Sequence, residues 1–358
     1  MIEKMLNFHK EKALASDLTI EYDGPPKWIF DMEKKYCIIA FYCYAFIENP
    51  KREMKRQKRF LEDLDAKARI YVANNGINAQ MSLSKEDAPI YMEWLKSDPQ
   101  FASVHFKIDP YHEHAFPRIT VKYREQLVAL DQMPDLKNGG EHISPEKWEK
   151  MLQERDENTL LVDVRNEYES KIGHFEGAEC PPLKTFRQFP EYAEQLAKTK
   201  DPKKTKVMMY CTGGIRCETY SALLKEKGFE QVYQLEGGVI HYGHQMGNKR
   251  WKGKLFVFDD RLSAPISEDE HELISTCSFC EKKSDAYYNC ANMDCNELYL
   301  SCPDCAEKLM GCCSQECLKS ERRRPFVKQE RPKPFRKWYN YSKSKARIDY
   351  DKCCSCAD

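Results

Sequence analysis

The stretch Tyr210-Cys-Thr-Gly-Gly-Ile-Arg-Cys-Glu218 follows an apolar strand pattern and precedes a helical one. In an open α/β sheet, such a turn lies at the carboxyl end of a strand, where functional sites collect. The adjacent Gly213 and Gly214 allow successive backbone N–H groups to point inward at the sulfur of Cys211. Those dipoles and the start of the next helix favour an anionic sulfur, and Arg216 adds a fixed positive charge. The stretch therefore predicts that Cys211 is a reactive thiolate.

The length of this loop limits the size of the group that it can bind. Four residues separate Cys211 from Arg216, whereas Cys-dependent phosphatases and arsenate reductases use a longer loop that fits a tetrahedral oxyanion. The tighter ring suits a terminal sulfur or another small group, so we take Cys211 and Arg216 as the candidate catalytic residues. The rest of the predicted active-site loop consists of Thr212, Gly213, Gly214, Ile215 and Cys217. Cys217 either resolves a disulfide or persulfide with Cys211 or packs inside the following helix.

Strands alternate with helices on both sides of this loop. Ser144-Pro145 is typical of a helix start, with serine as the N-cap and proline at the first helical position. Short apolar runs predict strands at Leu160–Val164, Val207–Tyr210 and Val232–Leu235, and Glu218–Gly228 predicts a helix. Such alternation implies a parallel sheet covered on both faces. We therefore expect an α/β domain with a parallel sheet over residues 140–248.

The region in front of it, residues 34–135, has a different order of elements. Its patterns predict strand, helix, two strands, helix and a final extended segment, at Tyr36–Ile47, Pro50–Leu64, Ala68–Leu83 broken by Asn74-Asn75-Gly76, Asp87–Leu95 and Phe116–Leu130. This β-α-β-β-α-β order indicates a ferredoxin-like (acylphosphatase-like) α+β domain. Residues 1–33 are polar and mixed, and we expect them to form an N-terminal arm.

Three further motifs accompany the cysteine loop in chain order. They are Asp163-Val-Arg165, Gly173-His-Phe-Glu-Gly-Ala178 and Gly237-Gly238. With the loop, they resemble the rhodanese family over about residues 140–245. The resemblance implies a rhodanese domain in which Asp163 and Arg165 support the loop.

A narrower resemblance covers about residues 36–317. Beside the loop, it depends on Gln234-Leu-Glu-Gly-Gly-Val239, Lys254-Leu-Phe-Val-Phe-Asp-Asp-Arg261 and Asn75-Gly-Ile-Asn78. These motifs are similar to those of the bacterial rhodanese-type tRNA uridine hydroxylases. The resemblance implies an enzyme that uses molecular oxygen and the loop cysteine to install 5-hydroxyuridine at the wobble position of tRNA. The cysteine would either add to C6 of uracil or act in an oxidised or persulfidated form.

Seventeen cysteines in a chain with no secretion signal indicate metal binding or thiol chemistry rather than disulfides. Eight of them, within residues 270–320, form closely spaced pairs: Cys277 and Cys280, Cys290 and Cys295, Cys302 and Cys305, Cys313 and Cys317. This spacing is typical of structural zinc sites, and eight thiolates satisfy two zinc ions. We expect the first pair to join the third and the second to join the fourth. An iron–sulfur cluster and a metal-free, loop-rich segment are the alternatives.

Residues 321–358 form a basic tail that we expect to be disordered. Between Glu321 and Arg347 the tail has eleven Lys or Arg residues and two Glu residues, mixed with aromatic residues. Cations neutralise phosphates, and aromatic rings stack on unpaired bases. The candidate RNA contacts are Arg322, Arg323, Arg324, Arg336, Lys337 and Trp338. The alternative is a solvated tail without a partner, but the family resemblance favours tRNA.

The remaining composition favours a cytoplasmic protein. Its longest apolar run, Cys37–Ile47, is shorter than the roughly 18 residues that a membrane helix needs.

Three functions stay open: a tRNA-modifying oxygenase, a sulfurtransferase carrying a persulfide on Cys211, and a non-catalytic binding module. The intact loop argues against the last. The front domain and the cysteine-rich segment argue against the second, since a single rhodanese domain suffices for sulfur transfer.

Overall fold

The computed structural model of the protein describes residues 34–131 and 133–328. The predicted N-terminal arm and the tail from residue 329 onward lie outside the described residues. The chain divides into two compact units. Of the described residues, the first unit contains 34–164 and 185–245 except 132, and the second contains 165–184 and 246–328.

The described elements are short strands and helices in mixed order. The strands are β1 (Tyr36–Tyr44), β2 (Ala66–Ala73), β3 (Gly76–Ser84), β4 (Lys107–Tyr111), β5 (Thr120–Tyr123), β6 (Glu141–Ile143), β7 (Thr159–Asp163), β8 (Gly173–Phe175), β9 (Lys206–Tyr210), β10 (Gln231–Leu235), β11 (Trp251–Gly253), β12 (Leu255–Phe256), β13 (Ser263–Ala264), β14 (Tyr287–Asn289) and β15 (Leu298–Leu300). The α-helices are α1 (Pro50–Glu62), α2 (Asp87–Lys96), α3 (Pro145–Gln153), α4 (Glu167–Ser170), α5 (Phe189–Thr199), α6 (Ile215–Glu226), α7 (Gly238–Met246), α8 (Pro303–Lys308) and α9 (Gln315–Leu318).

The front part of the first unit is a five-stranded sheet in the order β4-β1-β3-β2-β5. The pairs β1–β3, β1–β4 and β2–β3 are antiparallel, and β5 is parallel to β2. The first four strands and the two helices α1 and α2 have the ferredoxin-like arrangement that the sequence predicts. Alternate residues of β1, Cys37, Ile39 and Phe41, are buried in the core that α1 and α2 help to form. Tyr42 and Tyr44 therefore belong to the opposite face of the sheet.

The position of the fourth strand differs from the prediction. The long extended segment expected at Phe116–Leu130 contains only the short strand β5. The fourth strand of the ferredoxin-like arrangement is instead β4, which comes earlier in the chain. Pro110 breaks the usual strand signal there, because proline cannot donate to a ladder. The sheet accommodates Pro110 because β4 is an edge strand, with β1 on one side only.

The second sheet of the first unit is parallel, in the order β6-β10-β9-β7. This confirms the expected α/β domain with its parallel sheet. Ser144 caps α3, since its Oγ accepts a hydrogen bond from the Lys147 N–H at 3.4 Å. Helix α6 begins at Ile215 rather than at the predicted Glu218, so Arg216 and Cys217 lie in its first turn.

The described part of the second unit contains three two-stranded sheets: β8 with β11, β12 with β13, and β14 with β15. One apolar cluster joins Ile172, Phe256, Leu262, Tyr287 and Leu300. A second cluster lies within the cysteine-rich segment and includes Tyr288, Cys290 and Tyr299. Among the residues that the structure describes, no helix has the length and apolar character required to cross a bilayer.

Candidate active site

The cysteine loop leaves the central strand β9 and enters α6. Cys211 follows β9 directly, and the backbone N–H of Gly214 donates to its Sγ at 3.1 Å. The N–H groups of Gly213 and Arg216 also donate to this sulfur. The ring of inward-pointing amides that the sequence predicts is therefore present.

The first turn of α7 holds the outside of the loop. The N–H of Val239 donates to the Cys211 carbonyl at 3.0 Å, and the N–H of Ile240 donates to the Thr212 carbonyl at 3.1 Å. These bonds turn the loop carbonyls outward, which leaves the loop N–H groups free to face the sulfur. Gly214 has a φ of +99°, a conformation that favours glycine.

The charge around Cys211 stabilises its anionic form. Burial raises the pKa of Cys211, but three effects lower it more: the Cys217 thiol donates to it, Arg216 carries a positive charge, and the loop amides donate. The net result lowers the pKa of Cys211 to about 5. The Arg216 guanidinium is itself buried and lies 3.5 Å from Thr212 Oγ1. Cys211 is therefore a thiolate at neutral pH.

The thiol of Cys217 lies beside the sulfur of Cys211. Cys217 is fully buried, and burial together with its bond to Cys211 raises the pKa of its thiol well above the ordinary value. Cys217 thus remains protonated and acts as a hydrogen-bond donor to the thiolate. Its position next to Cys211 is compatible with either of the roles weighed above.

The front domain supplies one wall of the site, which the sequence analysis missed. The Tyr42 hydroxyl donates to Glu218 Oε1 at 2.8 Å, and the Tyr44 hydroxyl lies 3.1 Å from Thr219 Oγ1. Glu218 also contacts the His142 imidazole, with Nε2 at 3.0 Å from Oε1. The two tyrosines are two residues apart on β1 and so share one face. That spacing within an apolar run was the available signal.

Cys211 is enclosed by these neighbours, and its side chain is 0% exposed. A side chain at Gly213 would meet no atom within 4 Å, whereas one at Gly214 would lie 2.9 Å from the Tyr42 hydroxyl. The space beside Gly213 is therefore open, whereas Tyr42 fills the space beside Gly214.

The supporting residues of the rhodanese motif lie in different units. Asp163 is buried at the end of β7, the strand beside β9. Arg165 belongs to the second unit, where its guanidinium donates to the Gly173 carbonyl and lies 5.1 Å from the centroid of the Trp251 ring.

A titration of the thiolate is expected to show its low pKa. The difference in ultraviolet thiolate absorbance between the protein and its Cys211→Ser variant should increase as pH rises through about 5. The same difference for Cys43→Ser should increase only at alkaline pH, because burial raises the pKa of Cys43. Absorbance needs no solvent access, so the enclosure of Cys211 does not hide the step. A Cys211 step near the free value of about 8.5 would contradict the amide-ring argument.

The cysteine-rich segment forms two groups in the interleaved arrangement that the sequence predicts. In each group the four sulfur atoms lie within 4.8 Å of one another, so each can hold a metal ion. The first group is Cys277, Cys280, Cys302 and Cys305, and the second is Cys290, Cys295, Cys313 and Cys317. Backbone N–H groups donate to two of these sulfurs, from Phe279 to Cys277 and from Cys313 to Cys290, both at 3.4 Å.

The start of the basic tail is tied to the second cysteine group. The Arg324 guanidinium is buried and donates to the Cys290 carbonyl at 2.8 Å. Arg323 Nε donates to the Ser320 carbonyl at 2.9 Å. Arg322 is exposed and pairs with an aspartate. The other candidate RNA contacts, Arg336, Lys337 and Trp338, lie outside the described residues.

Family models match all three parts of the chain. A UPF0176 acylphosphatase like domain matches residues 36–127, a rhodanese-like domain matches 144–242, and a rhodanase C-terminal model matches 252–318. The first two agree with the two sheets of the first unit. The third contains both cysteine groups.

Curated relatives match most of the chain. A protein of Protochlamydia amoebophila (strain UWE25) is 52% identical over 311 residues, which are 87% of this chain and 97% of the relative. A protein of Chlamydia felis (strain Fe/C-56) is 51% identical over 90% of this chain and 99% of its own length. A protein of Chlamydia pneumoniae is 53% identical over 86% of this chain and 94% of its own length. All three are named tRNA uridine(34) hydroxylase. The chain therefore belongs to the family of rhodanese-domain proteins that bear this name.

Proposed function

We propose that the protein hydroxylates the wobble uridine of tRNA to 5-hydroxyuridine, with molecular oxygen as co-substrate. The observation that carries the proposal is the thiolate of Cys211, which is held by loop amides at the end of β9 in a chain whose close relatives are named tRNA uridine(34) hydroxylase. We propose a cytoplasmic location, since tRNA is a cytoplasmic substrate.

The residues of the site suit a reaction at a pyrimidine. The thiolate supplies either a nucleophile for C6 or a sulfur that is first oxidised or persulfidated. Arg216 and the loop amides keep that sulfur anionic, and Cys217 donates to it. Since Cys211 is fully buried, the base can reach it only after neighbouring groups move. Enclosure also keeps water away from the reacting atoms.

The sulfurtransferase alternative is not favoured. It requires only the rhodanese domain, whereas the relatives with the hydroxylase name share the front domain and the cysteine-rich region as well. Nucleoside mass spectrometry separates the two functions. In cells that lack the protein, uridine 34 should lose a one-oxygen mass increment, and the full chain should restore it. Loss of a sulfur from tRNA would support the alternative.

We propose that each cysteine group holds a structural zinc ion. Four thiolates about 2.3 Å from zinc in a tetrahedron lie about 3.8 Å from one another. In the second group, Cys313 Sγ lies 3.6 Å from Cys295 Sγ and 3.8 Å from Cys317 Sγ. In the first group, Cys280 Sγ lies 3.6 Å from Cys302 Sγ. Because these regions have small apolar cores, we expect the ions to provide much of their folding free energy.

Metal analysis of two neighbouring variants is expected to give different zinc contents. The purified protein should contain two zinc ions per chain. Cys313→Ser should retain one, because it loses a ligand of the second group, whereas Cys312→Ser should retain both, because Cys312 lies outside both groups. Iron in place of zinc, or equal contents in the two variants, would contradict the assignment.

We further propose that the basic tail binds tRNA. Arg322 and Arg323 keep part of their surface exposed, and the candidates Arg336, Lys337 and Trp338 would extend the same contact. Arg324 contributes to folding around Cys290 instead. Such contacts would weaken as the salt concentration rises, since they depend on phosphate charge.

A further inference from the structure

The edge strand β4 directs two polar residues toward the rhodanese part of the first unit. Phe106 and Ile108 pack against the core of the front domain. Lys107 and Asp109 therefore belong to the opposite face of the sheet. The Asp109 carboxylate pairs with His244 Nε2 of α7 at 2.7 Å, which fixes this face of β4 against the helix that holds the cysteine loop.

Lys107 lies on the same face of the front sheet as Tyr42. Its Nζ is 5.1 Å from the centroid of the Tyr42 ring, and the Tyr42 hydroxyl is bonded to Glu218. The same hydroxyl packs against Gly214, because a Cβ added to Gly214 would lie 2.9 Å from it. Cys211 and Glu218 are the charged groups that act on the ammonium most strongly.

The ammonium of Lys107 has no hydrogen bond or ion pair with any residue that the structure describes. Its side chain is only partly accessible, and desolvation lowers the pKa of Lys107 to about 8 despite the nearby negative charges. A partly desolvated ammonium gains free energy when a ligand completes its contacts. Exposed lysines serve phosphate contacts equally well, so the partial burial of Lys107 beside Tyr42 favours a role at the reacting base.

We propose that Lys107 contacts the uracil ring and stabilises the negative charge that develops on its O4 when Cys211 adds to C6. This inference depends on the proposed function and selects the addition route. In that step the sulfur–C6 bond forms, the C5=C6 π pair becomes the C4=C5 bond, and the C4=O4 π pair moves onto O4. No electron is gained or lost, and no oxidant is needed. A cation beside O4 lowers the free energy of the adduct and of the transition state that leads to it.

Reversible addition makes the C5 hydrogen exchangeable, which gives a test without oxygen. The full-length protein is incubated with unmodified tRNA in deuterated buffer under anaerobic conditions, and deuterium at C5 of uridine 34 is measured by mass spectrometry. Lys107→Met removes the charge and keeps the length of the side chain. We expect it to lower the exchange rate at saturating tRNA by at least about 10²-fold. The tRNA concentration that gives half the maximal rate should change little.

Lys122→Met is the matched control, because Lys122 is an exposed lysine on β5 of the same sheet. It should exchange like the unsubstituted protein, and both variants should unfold at the same temperature as that protein. The proposal is overturned if Lys107→Met changes only the half-saturating tRNA concentration. It is also overturned if the unsubstituted protein restores 5-hydroxyuridine in cells but shows no exchange. Failure to restore 5-hydroxyuridine would instead reject the function itself.

Discussion

Replacement of Cys211 by serine is expected to abolish 5-hydroxyuridine at position 34, with a loss of at least about 10³-fold in rate. A serine hydroxyl stays protonated at neutral pH, so the loop amides and Arg216 would have no anion to stabilise. The side chains are similar in size, and the backbone contacts of the loop to Val239 and Ile240 do not involve the sulfur. The variant should therefore fold, and the loss would report on the chemistry of the sulfur.

The measurement is the 5-hydroxyuridine content of tRNA in a deletion strain that expresses each variant at equal level. Cys43→Ser is the control, since Cys43 lies on β1 in the same unit, packs against the core of the front domain and donates its thiol hydrogen bond to the Gln100 carbonyl. It should restore the modification fully. Full activity of Cys211→Ser would exclude both the addition route and the oxidised-sulfur route.

Local patterns were sufficient to predict the loop and the cysteine groups. The ring of amides around Cys211 is formed by residues that are consecutive in sequence, so two adjacent glycines and an arginine reveal it. The cysteine pairs likewise form short turns, and the structure groups them in the interleaved arrangement that the sequence analysis expects. The predicted pair of Cys313 with Cys317 belongs to one group in the structure, and the adjacent Cys312 lies outside both groups.

The wall of the site contributed by the front domain could not be predicted in this way. Tyr42 and Lys107 come from strands more than a hundred residues before the loop, and their distance from Cys211 depends on how two domains pack. In addition, the strand that contains Lys107 was not predicted, because Pro110 interrupts its sequence pattern. Arg324 shows the opposite effect, because its place in a basic run predicts a surface contact, whereas the structure buries it against the Cys290 carbonyl.

Replacement of Gly238 by alanine is expected to displace the backbone of the cysteine loop, although Gly238 lies in α7 and not in the loop. Gly238 has a φ of +68°, and an added Cβ would lie 2.6 Å from the Cys211 carbonyl oxygen and 2.7 Å from the Gly214 nitrogen. Both are backbone atoms of the loop, so they can give way only if the ring of amides opens. The pKa of Cys211 should then rise, and activity should fall by about 10²-fold or more, as a misplaced reacting group typically causes.

Gly228→Ala separates this effect from backbone strain. Gly228 also has a positive φ, +94°, but its added Cβ would meet only Pro202, at 3.8 Å, an ordinary contact. The left-handed conformation alone costs about 1–2 kcal/mol of stability in either variant. Gly228→Ala should therefore lower the unfolding temperature without changing the thiolate absorbance step or the 5-hydroxyuridine content. If the two variants lose activity equally, close packing of α7 on the loop does not control the reactivity of Cys211. A selective loss in Gly238→Ala would mean that the anionic sulfur depends on a glycine far along the chain, because only a residue without a side chain lets α7 bind the loop carbonyls and turn the amides inward.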